Sequence, residues 1–284
     1  MLYNRIRNPN ILQTVSYKQR RHLDTARIAA LLDPFLKQSL NSRQLDQIST
    51  YIDLLLRWNA RINLTAIRQP EEIVTRHFGE SFFLARHVFP DASSVARTLL
   101  SANPGSTQPQ PSPEPCHPER SHVIREADDA AQSKDPYPST TSPRVLDIGS
   151  GAGFPALPVK IWAPNIHLTL VESNHKKATF LREVTRALTL TDIDVRTDRA
   201  ELLAASPDFP RTQVVTMRAV ERFETILPQA IKLLAPQATL ALLVGKSQLP
   251  YLTSQATIKW HPPIPVPHSN ERVLATGINN QSGI

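Results

Sequence analysis

Apolar residues recur at helical spacing through residues 43 to about 60, where Leu45, Ile48, Ile52, Leu55 and Leu56 are followed closely by Trp58 and Ile62. This spacing predicts an amphipathic helix with one face buried. Thr25 to Leu40 reads as an earlier helix that Asp33-Pro34 kinks or splits, because proline removes a backbone donor and clashes with the preceding turn. Pro70-Glu71-Glu72 puts proline and two acids where a helix N-terminus favours them, and opens a further helix through Ile73 to Phe78. Residues 23 to 90 are therefore predicted to be all helical.

Beyond residue 143 the period changes. Short apolar runs at 144 to 148, 167 to 172, 193 to 197, 213 to 218 and 238 to 244 are predicted strands. A helix from about Asn174 to Leu188 buries Ala178, Leu181, Val184 and Leu188, and turns Lys176, Lys177, Arg182 and Arg186 to solvent as an ordinary charged face. Leu274 and its neighbours form a last, antiparallel strand with which Thr257 to Trp260 can pair. Strands alternating with helices predict an α/β fold, a mostly parallel sheet with helices on both faces. Between the two regions, residues 101 to 143 hold nine prolines and almost no large apolar residues. Such a segment cannot offset its ordering entropy, so it is expected to be a disordered insertion dispensable for the fold. The chain thus divides into a basic extension (1–22), a helical region packed on the sheet (23–90), a Pro/Ser-rich insert (91–143) and a Rossmann-like domain (144–284).

The densest chemical signal follows the first strand. Val145-Leu-Asp-Ile-Gly-Ser-Gly-Ala-Gly-Phe-Pro155 places Gly149, Gly151 and Gly153 at the strand's carboxyl end, where glycine lets the backbone turn tightly and approach a ligand. The spacing is not the G-x-G-x-x-G that seats a pyrophosphate on a helix N-terminus. It suits a ligand without phosphates, such as S-adenosylmethionine. Glu172 ends the second strand, where a carboxylate can accept both ribose hydroxyls. A glycine-rich turn that binds nothing is the alternative, and the agreement of glycine spacing, acid and strand pattern decides against it.

Composition narrows the setting. Net charge is +7, with 13 basic and 7 acidic residues in 1–90, 4 and 7 in 91–143, and 15 and 11 in the remainder. A basic body fits a nucleic-acid partner, though charge alone does not separate this from a solubility effect. The only cysteine, Cys116, lies in the insert beside His117, so internal disulfides and cysteine metal clusters are excluded and no metal is expected. No apolar run is long enough for a membrane span, and the first 23 residues lack the apolar core of a secretory signal. A cytoplasmic chain without a membrane partner is the expectation.

Two blocks together resemble the bacterial small-subunit ribosomal RNA guanine-N7 methyltransferases, the RsmG family, also called glucose-inhibited division protein B. The first is Arg57-Trp-Asn-Ala-Arg-Ile-Asn-Leu-Thr-Ala-Ile67 with Pro70-Glu71-Glu72 and His77-Phe-Gly-Glu-Ser81. The second is Leu146 to Pro155, continued by Leu170-Val-Glu-Ser173, Arg199-Ala-Glu201 and Thr216-Met-Arg-Ala219. The resemblance covers roughly residues 25 to 90 and 144 to 250. It implies the class I S-adenosylmethionine-dependent methyltransferase fold, with cofactor contacts from Gly149, Phe154, Ala200, Glu201 and Arg218, to which the glycine loop adds Gly151 and Gly153 and the second strand Glu172. It also implies methylation of guanine N7 in 16S rRNA, at guanine 527 in the family's reference numbering. The expected substrate is naked rRNA or a small-subunit particle, and the expected state of the enzyme a monomer. Ala156 stands where a glycine is usual after the proline, and Val244 where a lysine is expected.

Such a transfer needs positioning and no covalent nucleophile, since guanine N7 already carries a lone pair. No catalytic residue is assigned, with Arg218 the best candidate, on a rim that holds RNA and where alanine would cost activity in a folded protein. An ordinary ion pair is Arg218's other reading. His77, Glu80, Asn59, Asn63 and Thr65 are read as structural or RNA-facing rather than catalytic. Two alternatives remain: the same chemistry on a protein or small molecule, and a non-catalytic cofactor-binding RNA protein.

Overall fold

The computed structural model describes residues 23–90 and 142–281, all within one compact unit. The extension 1–22 and nearly all of the proposed insert 91–143 lie outside the described residues.

The helical region opens with α1 (Thr25–Leu32), capped by the Asp24 side chain. The helix does not run to Leu40. Pro34 sits in a 3-10 turn, Asp33–Phe35, after which Leu36 is extended (φ −111°, ψ 153°), so the proline ends the helix rather than kinking it. α2 (Ser42–Asn59) starts with a reciprocal cap: the Asn41 side chain accepts from Gln44 N–H while the Gln44 side chain accepts from Asn41 N–H. A single rod then comprises α3 (Pro70–Ile73), a π-helical segment (Val74–Gly79) and α4 (Glu80–Val88). A π turn inserts one residue into the helical ladder and rotates the side chains beyond it. That insertion was not legible in Ile73 to Phe78, where the periodicity still reads as an ordinary helix.

The sheet has strands β1 (Arg144–Ile148), β2 (His167–Val171), β3 (Ile193–Arg196), β4 (Thr212–Arg218), β5 (Leu234–Gly245), β6 (Ile258–Trp260), β7 (Ile264–Pro265) and β8 (Arg272–Asn279). Their order is β3-β2-β1-β4-β5-β8-β6, with β7 also on β8. β1 to β5 are parallel, whereas β8 runs antiparallel to β5 and pairs β6 as expected. β5 begins four residues earlier than the apolar run predicts, because Leu234 already pairs with Thr212 before a register shift in the ladder.

Alternation along β5 sorts the core. Ala241 and Leu243 join one cluster and Leu240, Leu242 and Val244 the other, since successive side chains point to opposite faces. The first face carries α5 (Ala156–Trp162) and α6 (His175–Ala187) together with the N-terminal helices. The second carries α7 (Ala200–Ala205), α8 (Phe223–Lys232) and α9 (Leu249–Thr253). Polar ties reinforce the N-terminal packing: Gln44 Nε2 donates to Ile161 O at 2.9 Å, and Gln47 Nε2 to Leu188 O at 3.0 Å. The strand order reverses at β1, which lies between β2 and β4. Open α/β sheets place their ligands outside the carboxyl ends of the strands at such a point.

Candidate functional site

A cleft of about 820 Å³ opens there, lined by the loops after β1, β2, β3 and β4 and by the turn before α3. Gly149, Gly151, Phe154, Glu172, Ala200, Glu201 and Arg218 all line it. Gly153 does not.

The three glycines, all at positive φ, have distinct jobs. A Cβ on Gly151 would meet only the Gly149 carbonyl oxygen, at 3.7 Å, so this position faces open space. A Cβ on Gly149 would touch Val220 at 3.1 Å. At Gly153 it would collide with Tyr51 Oη at 2.3 Å and Leu157 Cδ1 at 2.7 Å. Gly153, expected among the ligand contacts, is placed instead where the helical region packs against the loop.

That packing is a clasp around Phe154. The Phe154 ring lies against Tyr51 on one side (centroids 5.2 Å apart, planes within 5°) and His77 on the other (4.7 Å, 20°), with Phe78 edge-on at 5.1 Å. The buried Tyr51 hydroxyl donates to Ala152 O. The glycine loop is thus held from the N-terminal helices, which sequence could not foretell.

Glu172 is buried, and ties the loop as well as lining the cleft. Its Oε2 accepts from Gly151 N–H at 2.9 Å and its Oε1 from Asn174 N–H at 2.7 Å. Lys177, assigned by its spacing to a solvated face, is half-buried and lines the same cleft.

Arg218 is not an exposed rim residue. Its side chain is 7% exposed and Glu80's 3%, and they form an ion pair at 2.9 Å. Arg218 Nη2 also donates to Arg76 O at 2.6 Å, and Nη1 to His77 Nδ1 at 2.9 Å. Only Nε lacks a partner among the described residues. Arg218 is ion-paired, and its partners are the His77 and Glu80 that the sequence left as structural or RNA-facing. Burial, with the Arg218, Arg76 and Arg272 guanidinium groups adding to it, holds the His77 pKa down at about 3, so the ring is neutral. Asn59 ties the turn before α3: its Oδ1 accepts from Leu64 and Thr65 N–H, and its Nδ2 donates to Thr65 O at 2.8 Å.

Asp147, within β1, does not line the cleft but is a fully buried carboxyl just before the glycine loop, a placement that its apolar neighbours in sequence did not single out. Burial raises its pKa to about 7 against the Thr216 and Ser150 hydrogen bonds, which favour the anion, while Glu172 adds to the rise. Thr216 Oγ1 donates to its Oδ1 at 2.6 Å, whereas Oδ2 lacks a partner. A carboxyl whose folded pKa is raised stabilises the fold fully below its unfolded pKa, and that contribution is lost as pH rises towards the folded value. Asp147→Asn should therefore gain stability relative to the wild type between about pH 4 and pH 7, by up to about 1.4 kcal/mol per pH unit. Urea titrations of both proteins across that range check the sign, and a constant difference would show that Asp147 does not titrate there.

Both departures from the family pattern lie in the packed interior. Ala156 is a buried first residue of α5 and Val244 a buried residue of β5; neither lines the cleft.

The family model for rRNA small subunit methyltransferase G matches residues 44–96 and 127–259. Ribosomal RNA small subunit methyltransferase G of Roseiflexus castenholzii is 35% identical over 195 residues, 68% of this chain and 62% of that protein. Its namesake in Bacillus subtilis is 31% identical over 189 residues, 66% and 59% respectively. That of Xylella fastidiosa (strain 9a5c) is 31% identical over 215 residues, 74% and 76%. The chain spans about three fifths of the length of the first two. With the glycine loop, the acid after β2 and the helical clasp in place, the family match is decisive, and the chain belongs to the ribosomal RNA small subunit methyltransferase G family.

Proposed function

We propose that the protein binds S-adenosylmethionine in this cleft and methylates N7 of a guanine in 16S rRNA, guanine 527 in the family's reference numbering. The observation that carries the reading is the cleft, where a glycine facing open space and a buried carboxylate meet at the reversal of strand order, in a chain of this family. The residues fit the cofactor. Each Glu172 oxygen accepts one backbone N–H and keeps a second acceptor position, which leaves capacity for two ribose hydroxyls. Gly149, Gly151 and Phe154 would bound the cofactor on one side, and Ala200 and Glu201, at the start of α7, on the other. Arg218 lines the cleft with its guanidinium committed to Glu80, His77 and Arg76, so its part is to hold the wall of the site.

When bound, S-adenosylmethionine supplies an electrophilic methyl carbon on a sulfonium. The chain's own work is to hold cofactor and base in line and to keep the loop rigid, because guanine N7 needs no proton removed. We read the enzyme as a cytoplasmic monomer acting on rRNA or a small-subunit particle. No helix of the described residues is long and apolar enough to cross a membrane.

Glu172→Ala should weaken cofactor binding by about 1 to 3 kcal/mol, the scale of hydrogen bonds to a charged group. Calorimetry measures it, and an unchanged dissociation constant would put the ribose partner elsewhere. The reading as a whole is tested by transfer of a tritiated methyl group to 16S rRNA or small-subunit particles, with proteins and small molecules as competing acceptors. Label found only in protein or metabolites would overturn it.

A further inference from the structure

Thr65 lines the cleft at the end of the turn that Asn59 ties. Its Oγ1 lies 2.7 Å from His77 Nε2 and accepts from Ile67 N–H at 3.1 Å. The opposite ring nitrogen, Nδ1, faces Arg218 Nη1 at 2.9 Å. A guanidinium has donors only, so Nδ1 carries no proton, and the neutral ring must bear its proton on Nε2. That Nε2–H donates to Thr65. Both acceptor positions of the Thr65 oxygen are then used, one by His77 and one by Ile67. What remains is its own O–H, which donates to no group among the described residues. A hydroxyl ordinarily donates or accepts as its partner requires; this one is restricted to donating. The restriction is set deep in the protein, because Glu80 Oε2 fixes Arg218, Arg218 fixes the His77 tautomer, and His77 fixes Thr65.

We propose that the Thr65 hydroxyl donates to O6 of the target guanine and so selects guanine over adenine. This rests on the guanine-N7 reading above. Both purines present N7 on the same edge, but beside it guanine carries an acceptor, O6, and adenine a donor, the N6 amino group. A hydroxyl that only donates pairs with the first and opposes the second. Selection at N7 itself is impossible, since that atom is an acceptor in both bases.

The test uses small-subunit particles reconstituted on 16S rRNA carrying either guanine or 2-aminopurine, which lacks O6, at the target position. Wild-type enzyme should prefer guanine by about tenfold in kcat/KM, the scale of one uncharged hydrogen bond. Thr65→Val should lose about tenfold on guanine and almost nothing on 2-aminopurine, while Thr65→Ser, which keeps the hydroxyl, retains the preference. Cofactor affinity by calorimetry should be unchanged in both variants. Equal wild-type rates on the two bases would overturn the proposal without any variant. So would a Thr65→Val enzyme slowed equally on both, or one whose loss lies in cofactor affinity. Absence of any 7-methylguanosine with wild-type enzyme and guanine RNA would instead overturn the guanine-N7 reading and this inference with it.

Discussion

Replacing Arg218 by alanine should destabilise the fold by about 3 to 5 kcal/mol, because it strands Glu80 as a buried, largely uncompensated carboxylate. Among the described residues the only other cation on that oxygen is Arg272, at 3.6 Å. The same change leaves His77 Nδ1 and Arg76 O without their donors, on the element that clasps the glycine loop. Loss of activity in this variant would accompany loss of structure, where the sequence alone leads to the expectation of a folded but inactive protein. Urea denaturation of Arg218→Ala measures the loss. Adding Glu80→Gln should recover part of it by removing the stranded charge, a coupling that two independent surface residues would not show. A wild-type denaturation midpoint for Arg218→Ala would mean that the buried ion pair does not hold the helical region to the sheet.

The second large effect is expected at Gly153. An alanine there takes a left-handed conformation at φ +87° and puts its Cβ 2.3 Å from Tyr51 Oη. Tyr51 cannot move aside cheaply, for it is fully buried, stacked on Phe154 and bonded to Ala152 O. Overpacking of about 1 to 3 kcal/mol adds to a left-handed penalty of about 1 to 2 kcal/mol. Gly151→Ala shares only the second cost, because its Cβ finds open space. Thermal melts should therefore rank Gly153→Ala well below Gly151→Ala, with Tyr51→Phe partly rescuing the former. Equal melting temperatures would contradict the clasp. Two glycines of one motif thus answer to different demands, one facing the open cleft and one packed against a tyrosine more than a hundred positions earlier in the chain.

This division also explains what could be read from the chain and what could not. The strands, the glycine loop, Glu172 and the long helices are local or periodic features, and each was legible because its signal lies within a few residues. The partners of Arg218 were not, since His77 lies 141 positions away and nothing local distinguishes a ligand-facing arginine from a paired one. The π turn at Val74–Gly79 evaded the helical pattern because one inserted residue changes the direction of side chains without changing their composition. The direction of a glycine's missing Cβ, which separates Gly151 from Gly153, is likewise a property of the folded backbone alone. Thr65 could be read from the sequence only as structural or RNA-facing, for a related reason: its hydroxyl acquires a fixed polarity only through three residues brought together by folding.

Nucleotide-level mapping of 7-methylguanosine decides whether the protein, as proposed, methylates N7 of one guanine in small-subunit rRNA. Small-subunit rRNA is compared from cells with the gene, without it, and with Glu172→Ala in its place. The expected result is one guanine modified in the first, unmodified in the second and poorly modified in the third. An identical 7-methylguanosine map with and without the gene would contradict the claim.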